Sequence, residues 1–201
     1  MSYGAGFQNE YDYEQYTLKQ SKWRSDQGFR LLMLTIKSKC VGKTLDVGCG
    51  RGEFVFDYGD AVGIDLKRFD EWGNDPRFRV RAFEKVDLKG FNTVLFNNSF
   101  EHIKNKKLVL YRCKGFNTVF VLPTEKHLLK CWSRLPGALV NKLFGKPHED
   151  IRYLLVHSFN VYGFNFIKTY LDFNSWHKLL MKNFGKVVID YVGDYAIAVC
   201  R

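Results

Sequence analysis

The sequence predicts an α/β fold: one seven-stranded, mostly parallel sheet with helices on both faces and a C-terminal antiparallel hairpin. Short apolar runs alternate with helical stretches, which is the pattern of βαβ units around a parallel sheet. Only Val192 and Gly193 separate the last two runs, and a parallel pair would need a long crossover, so these runs should form a hairpin. The 201 residues, 46% of them hydrophobic and 26% charged, are typical of one globular domain.

The first predicted element is a mostly helical stretch from Tyr13 to Lys39, which ends in an apolar set. Seven strands follow it. One of them alternates arginines with Phe78, Val80 and Ala82, which predicts a strand that is wet on one side and lies near a sheet edge. The apolar set is Phe29, Leu31, Leu32, Leu34 and Ile36, and the predicted strands are 43–47, 61–65, 77–83, 91–96, 116–122, 186–191 and 194–200.

Two local patterns refine this topology. The hexapeptide KGFNTV occurs at 89–94 and again at 114–119, and each copy places a glycine before a β-branched and aromatic run. We expect the two copies to enter neighbouring strands. The stretch FNSWHKLLMKNFG predicts a helix that Asn174 or Ser175 caps and Gly185 ends. The apolar face of this helix is Trp176, Leu179, Leu180 and Phe184.

We expect a single domain over residues 1–201, with an N-terminal helical cap at 1–40 and an insertion at 124–172. The N-terminus lacks the basic start and apolar stretch of a signal peptide, and no apolar run reaches the length of a membrane span. These features predict a cytoplasmic protein. The five cysteines form no CxxC pair and the five histidines no HExxH pattern, which argues against a metal site and a disulfide framework.

The net charge of +10 favours an anionic partner. Nucleic acid, an acidic or phosphorylated substrate and a membrane surface all fit this charge. The basic residues are spread along the chain, and the densest run, KNKK, spans only residues 104–107. A nucleic-acid partner therefore stays an alternative, and the sequence does not predict the oligomeric state.

The stretch TLDVGCGRGEF, residues 44–54, places three glycines at alternate positions directly after a predicted strand. Glycines at this density indicate a close approach of the backbone or angles that a side chain forbids. A P-loop is rejected because the GKT sequence at 42–44 precedes the strand, whereas a phosphate cradle follows one. A dinucleotide site is disfavoured because the spacing is GxGxG and not GxGxxG.

Two acids indicate the ligand of this glycine loop. Asp46 lies beside the loop, where a carboxylate would repel a pyrophosphate and attract an ammonium group. Asp65 ends the second strand, where a carboxylate can accept hydrogen bonds from both hydroxyls of a ribose. S-adenosylmethionine is a ligand that has a ribose and a cationic amino acid end but no phosphate.

TLDVGCGRGEF, VGIDL and LFNNSFEHI stand in the order typical of class I S-adenosylmethionine-dependent methyltransferases, which residues 30–123 resemble. The resemblance implies a Rossmann-like fold in which Asp65 holds the ribose and Asn97 and Asn98 lie under the transferring methyl group. Phe83 occupies the usual position of an acid near the adenine, and Glu84 follows it. The implied cofactor-binding residues are Asp46, Gly48, Cys49, Gly50, Gly52, Asp65, Leu66, Glu84, Asn97 and Asn98.

Methyl transfer is an in-line displacement, so positioning supplies much of the catalysis, and a base is needed only for a hydroxyl or a protonated nitrogen. His148 and His102 are the candidate bases. Glu101 is expected to cap its helix, because Asn98-x-x-Glu101 resembles a capping box. The aromatic residues of the insertion, together with N-terminal tyrosines, are expected to cover the cleft and bind the acceptor.

Three functions stay open at this point. The Glu-His-Ile sequence at 101–103 resembles methyltransferases whose acceptor is a small molecule, lipid or glycan. The net charge and the aromatic insertion favour an RNA or DNA methyltransferase instead. A non-catalytic module that binds the cofactor and works through a partner protein is the third, and a dehydrogenase is a distant fourth.

Overall fold

A computed structural model describes residues 27–103, 105–124, 136–141 and 173–201, together with Ser133, Leu143 and Phe144. The helices are α1 (Gln27–Lys39), α2 (Glu53–Tyr58), α3 (Lys106–Arg112) and α4 (Phe173–Asn183), and residues 136–141 are also helical. Short 3₁₀ turns lie at Asp70–Trp72, Phe83–Lys85 and Phe100–His102. The strands are β1 (Thr44–Val47), β2 (Ala61–Asp65), β3 (Phe78–Val80), β4 (Thr93–Asn97), β5 (Asn117–Pro123), β6 (Val187–Val192) and β7 (Tyr195–Cys200).

The seven strands form one sheet in the order β3-β2-β1-β4-β5-β7-β6. Strand β7 is antiparallel to both of its neighbours, and the other neighbouring pairs are parallel. The predicted α/β class and the C-terminal hairpin are therefore confirmed. The chain adds strands on one side of β1 and then returns to add β4 on the other side. Ligands of such sheets bind at the carboxyl ends of the strands where the order reverses, here β1 and β4.

Two apolar layers cover the two faces of the sheet. One layer packs α1, α2 and the Asp70–Trp72 turn against the sheet, and the other packs α3, α4 and the two later turns against it. Aromatic stacking is dense in the second layer, where Phe96 and Phe120 lie with ring centroids 5.1 Å apart and planes within 9°. Each such pair stabilises the fold by about 1 kcal/mol beyond the burial of its apolar surface. The carboxyl ends of β1 and β4 are thus supported by packing on both faces of the sheet.

Strand β3 is shorter than predicted, because only residues 78–80 belong to it and not 77–83. It is an edge strand, as expected. Phe78 is buried beneath Phe56 and Trp72, but Val80 is 54% exposed, so the expected burial of Val80 is wrong. After Val80 the chain turns into the core, where Phe83 is buried.

The helices follow the sequence pattern in part. On α1, Leu32 and Ile36 are buried four residues apart, whereas Leu31 and Leu34 are more than half exposed, because one helix buries a single stripe. Residues 13–26 of the predicted helix lie outside the described residues. The cap prediction for α4 is wrong, since this helix begins at Phe173 and therefore includes both candidate cap residues. Its expected apolar face is confirmed by the burial of Trp176, Leu180 and Phe184.

The two KGFNTV copies enter the hydrogen-bonded neighbours β4 and β5, as predicted. Thr93 pairs with Asn117, so the copies are offset by one residue, and the Asn117 amide donates to Thr93 Oγ1 at 3.2 Å. Among the helices of the described chain, none is long and apolar enough to cross a membrane.

Candidate functional site

The glycine loop, residues 48–52, follows β1 at the carboxyl edge of the sheet. Its three glycines have φ values of +71°, +54° and +90°, all in the left-handed region. A Cβ on Gly48 would lie 2.6 Å from the Cβ of Ser99, and one on Gly52 would lie 2.4 Å from the Phe78 ring. A Cβ on Gly50 would meet nothing within 4 Å. The protein's own packing therefore requires two of the glycines, and Gly50 faces open space.

The backbone amides of this loop are largely engaged within the protein. Gly48 and Cys49 donate to the Ile64 carbonyl at 2.8 and 3.1 Å, and Gly52 donates to the Cys49 carbonyl at 2.9 Å. The Gly50 amide donates to Asp65 Oδ2 at 3.0 Å. A phosphate cradle needs several free amides that converge on the anion. These four of the loop's five amides cannot serve that purpose, which disfavours a phosphate at this loop.

Asp46 is a buried carboxyl group beside the glycine loop. Only 2% of the residue is exposed, and its Oδ1 atom has no hydrogen-bond partner in the described chain. Burial raises the pKa of Asp46 well above its usual value, and the negative charges of Glu53 and Asp65 raise this pKa further. A buried carboxylate is costly unless it is paired. This group is therefore suited to a ligand that brings a cation or a hydrogen-bond donor.

Asp65 stands at the end of β2, as the sequence predicted. Its Oδ1 accepts from the Leu66 amide at 2.6 Å, and its Oδ2 accepts from the Gly50 amide. Burial raises the pKa of Asp65, although these backbone hydrogen bonds and Lys67 oppose the rise. The Lys67 amide also donates to Oδ1, at 3.5 Å, so both oxygens are held by backbone amides and Oδ2, with one donor, keeps capacity for another. Leu66 is 69% exposed next to it.

The end of β4, the strand next to β1 on the side away from β2, also contributes to the site. Asn98 has a φ of +51°, and its amide donates to the Val121 carbonyl at 3.2 Å. Its side-chain amide lies 3.4 Å from Asn97 Oδ1. Ser99, which the sequence did not single out, donates its hydroxyl to the Val47 carbonyl and packs against Gly48. The residues after β1 and β4 therefore touch each other, as the predicted site requires.

Trp72 is the second residue that sequence reasoning missed. It lies in the Asp70–Trp72 turn, is 2% exposed, and its Nε1 donates to the Gly50 carbonyl at 2.8 Å. The link spans 22 residues of chain, so no local pattern could reveal it. Its position soon after the Asp65 strand was the one available signal.

The predicted adenine side of the site is less polar than the resemblance implied. Phe83 is buried in the core, where Arg112 lies 5.0 Å over its ring and donates to its carbonyl. Glu84 is exposed on the same turn. A cofactor contact by Glu84 stays a prediction. Cys49 is buried, and burial raises the pKa of its thiol, which makes it a small apolar wall of the loop.

Glu101 does not form the predicted capping box. It is 3% exposed, and its Oε2 has no hydrogen-bond partner in the part of the chain that the structure describes. Burial raises the pKa of Glu101 to about 7. Helix α3 is capped instead by Asn105, whose Oδ1 accepts from the Leu108 amide at 3.1 Å. The capping prediction is wrong because the chain forms a short 3₁₀ turn here and the α-helix starts later.

Lys106 and His102 lie near Glu101. The Lys106 ammonium donates to the Glu101 carbonyl at 3.1 Å and to the Ile103 carbonyl at 2.7 Å. Burial lowers the pKa of Lys106 to about 8, and burial with the nearby Lys106 charge lowers the pKa of His102 to about 4. His102 is therefore neutral near pH 7, but it is a weaker base than an ordinary histidine.

Several predicted residues lie outside the described residues. These include His148, the N-terminal tyrosines and most of the 124–172 insertion. Their roles stay predictions, as do the boundaries of the cap and the insertion. Within the described ranges, no cluster of three or more histidine, cysteine or acidic side chains could hold a metal ion.

The sequence matches no family model and no curated protein. Its fold does match solved structures. The plantazolicin methyltransferase BpumL in complex with SAH gives a TM-score of 0.64 at 10% identity, covering 98% of this chain and 93% of that one. The methyltransferase domain of bacterial CtHen1-C gives 0.56 at 11%, covering 86% and 95%.

A third match comes from Burkholderia thailandensis. Its 1,6-didemethyltoxoflavin-N1-methyltransferase, with bound 1,6-didemethyltoxoflavin and S-adenosylhomocysteine, gives a TM-score of 0.57 at 12% identity, covering 99% of this chain and 92% of that one. The three matches cover 86–99% of this chain and 92–95% of the matched chains. The chain therefore has the class I methyltransferase fold that its sequence predicted.

Proposed function

We propose that this protein is an S-adenosylmethionine-dependent methyltransferase that acts on an oxygen or nitrogen of a small molecule, glycan or lipid. The observation that carries the proposal is the buried Asp46 carboxyl, which lies beside the glycine loop. The loop amides are engaged, which disfavours a phosphate, and the buried Asp46 carboxyl has an unpartnered oxygen, which favours a cation. The ammonium group of S-adenosylmethionine supplies that cation.

The other residues at this edge fit the same ligand. Gly50 leaves open space in front of the loop, and the Asp65 carboxylate is held where it can accept from ribose hydroxyls. Asn97 and Asn98 would flank the methionine part. The matched BpumL and 1,6-didemethyltoxoflavin enzymes were solved with the demethylated product of this cofactor, which supports the assignment by analogy of fold.

When bound, S-adenosylmethionine supplies an electrophilic methyl group on a sulfonium. The contribution of this chain is to hold and orient the cofactor and to exclude water, which suffices for an acceptor that is already nucleophilic. His102 is a poor candidate for a general base, because burial lowers its pKa to about 4. His148 stays the proposed base for acceptors that carry a proton.

Direct binding tests the cofactor assignment. We expect S-adenosylmethionine and S-adenosylhomocysteine to bind in isothermal titration calorimetry, and ATP and NADH to give no heat at the same concentrations. Binding of NADH without S-adenosylmethionine would overturn the proposal in favour of a dehydrogenase. Binding of ATP alone would show that the glycine loop accepts a phosphate after all.

Methyl transfer tests the acceptor class. Radiolabelled S-adenosylmethionine is incubated with the protein and an extract of the producing cell, and the label is separated into lipid, small soluble, nuclease-sensitive and protease-sensitive fractions. We expect label in the lipid or small soluble fraction. Incorporation into nucleic acid, together with salt-sensitive RNA or DNA binding, would favour the alternative that the charge of +10 supports. Cofactor binding without any transfer would favour a non-catalytic module.

A further inference from the structure

The segment from Asp65 to Trp72 holds the glycine loop at three points. Asp65 accepts from the Gly50 amide at 3.0 Å, and the Trp72 indole donates to the Gly50 carbonyl at 2.8 Å. Glu71 forms an ion pair with Arg51, the next residue of the loop. Both polar atoms of Gly50 are thus bound by the same short segment, while its Cα faces open space.

Trp72 is itself held rigidly. Its ring stacks on Phe78 with centroids 5.0 Å apart and planes within 13°, and Phe69 lies 5.7 Å away on a tilted plane. The Phe78 ring also fills the space that a Cβ on Gly52 would need. One aromatic stack therefore supports the loop at Gly50 by a hydrogen bond and at Gly52 by direct packing.

We infer that Trp72 is a positioning residue of the cofactor site, which fixes the Gly50 peptide so that its open side is presented to the ligand. This inference rests on the proposed function. The left-handed conformation of Gly50 is one of several that glycine adopts, so the loop needs an external restraint to favour it before the ligand arrives. The indole N–H supplies that restraint from a buried, stacked ring.

Paired substitutions separate this role from simple core packing. Trp72→Phe keeps an aromatic ring and removes the indole donor, and Trp176→Phe makes the same change at an equally buried position in the opposite layer. Both variants should lose thermal stability. We expect Trp72→Phe to weaken S-adenosylmethionine binding by about tenfold, because a buried hydrogen bond that organises the site is lost. Trp176→Phe should leave the dissociation constant within about twofold, because its ring packs against Phe100 in the layer on the other face of the sheet.

A measurement on the wild-type protein covers the case in which Trp72→Phe does not fold. The four tryptophans are labelled with ¹⁵N, and the indole signals are assigned from the Phe variants of the other three. The Trp72 indole proton should exchange slowly with solvent, and its signal should shift on addition of S-adenosylmethionine.

The outcomes are distinct. Equal loss of affinity in both variants, or none in either, would overturn the positioning role. Fast exchange of the Trp72 indole proton, or no shift on cofactor addition, would overturn it as well. If the wild-type protein itself fails to bind S-adenosylmethionine, the proposed function fails first, and the exchange rate alone then shows whether the hydrogen bond exists.

Discussion

Two buried carboxyl groups, Asp46 and Glu101, each have one oxygen that accepts no hydrogen bond from the described residues, but their surroundings are opposite. Asp46 faces the negative charges of Glu53 and Asp65, which raise its pKa beyond the effect of burial. Glu101 lies near the Lys106 ammonium, which opposes the effect of burial on its pKa. Among the described residues, a nearby cation therefore acts on Glu101 and none of comparable effect acts on Asp46.

The difference indicates which of the two carboxyl groups a cationic ligand would stabilise. An unpaired carboxylate surrounded by other carboxylates is destabilising, and such strain persists where function uses it. At Asp46, an incoming cation would offset the unfavourable burial of the carboxylate and its repulsion by Glu53 and Asp65. The arrangement at Glu101 is partly relieved within the fold, so its ionisation should affect stability more than cofactor binding.

The largest expected effect is that of Asp46→Asn on cofactor affinity. Removal of one partner of a buried charge pair should raise the dissociation constant of S-adenosylmethionine by about 300-fold. The same variant should be more stable without ligand at pH 8, because the raised pKa of Asp46 means that wild-type stability falls as pH rises through it. Calorimetric titration and thermal melts measure both quantities. Lower affinity with lower stability would show that Asp46 is structural.

The Glu101→Gln variant should also gain stability at high pH, but it should leave cofactor affinity unchanged. The pKa of Glu101 in the fold is about 7, above its ordinary 4.5, so this group favours the folded state at low pH and that stability is lost as pH rises through 7. At pH 8 the variant should gain about 3 kcal/mol in the free energy of unfolding, and at pH 4 nothing. Urea denaturation at both pH values measures this, with the exposed Glu84→Gln as control. A large loss of cofactor affinity would remove the distinction from Asp46.

Two glycine-to-alanine substitutions test whether the ligand lies against the glycine loop, next to Asp46. Gly52→Ala should cost about 2 kcal/mol of stability, because the new methyl group collides with the Phe78 ring. Gly50→Ala meets no protein atom, so its stability loss should be about 1 kcal/mol from backbone strain, whereas cofactor affinity should fall by about tenfold. Melting temperatures and titrations separate the two effects. Equal affinities for Gly50→Ala and wild type would place the ligand elsewhere.

The smallest effect is a proton released on cofactor binding. The ammonium group should lower the raised pKa of Asp46, so at a pH between the pKa values of the free and bound states, cofactor binding releases up to about one proton. Binding enthalpies in buffers with different ionisation enthalpies give the number of protons. Asp46→Asn should release fewer, and an unchanged number would assign the proton to another group.

The sequence predicted the residues at the strand ends of this site better than the residues that pack against them. The positions of the glycine loop, Asp46 and Asp65 were predicted correctly because their order along the chain fixes their place on a parallel sheet. Trp72 and Ser99 were missed because their contacts depend on how distant segments meet. Glu101 was misassigned for the same reason, since a capping pattern describes four residues, whereas its burial depends on the packing around the turn.

The position of strand β7 inside the sheet has a consequence for the order in which the sheet folds. It lies between β5 and β6, and its pairing with β5 joins Thr118 to Cys200, which closes a loop of about 80 residues at a higher entropic cost than the local pairings. The β6–β7 hairpin can form by itself and then dock as a unit. Until it docks, the edge of β5 is open to strands of other chains, which makes that intermediate prone to aggregation.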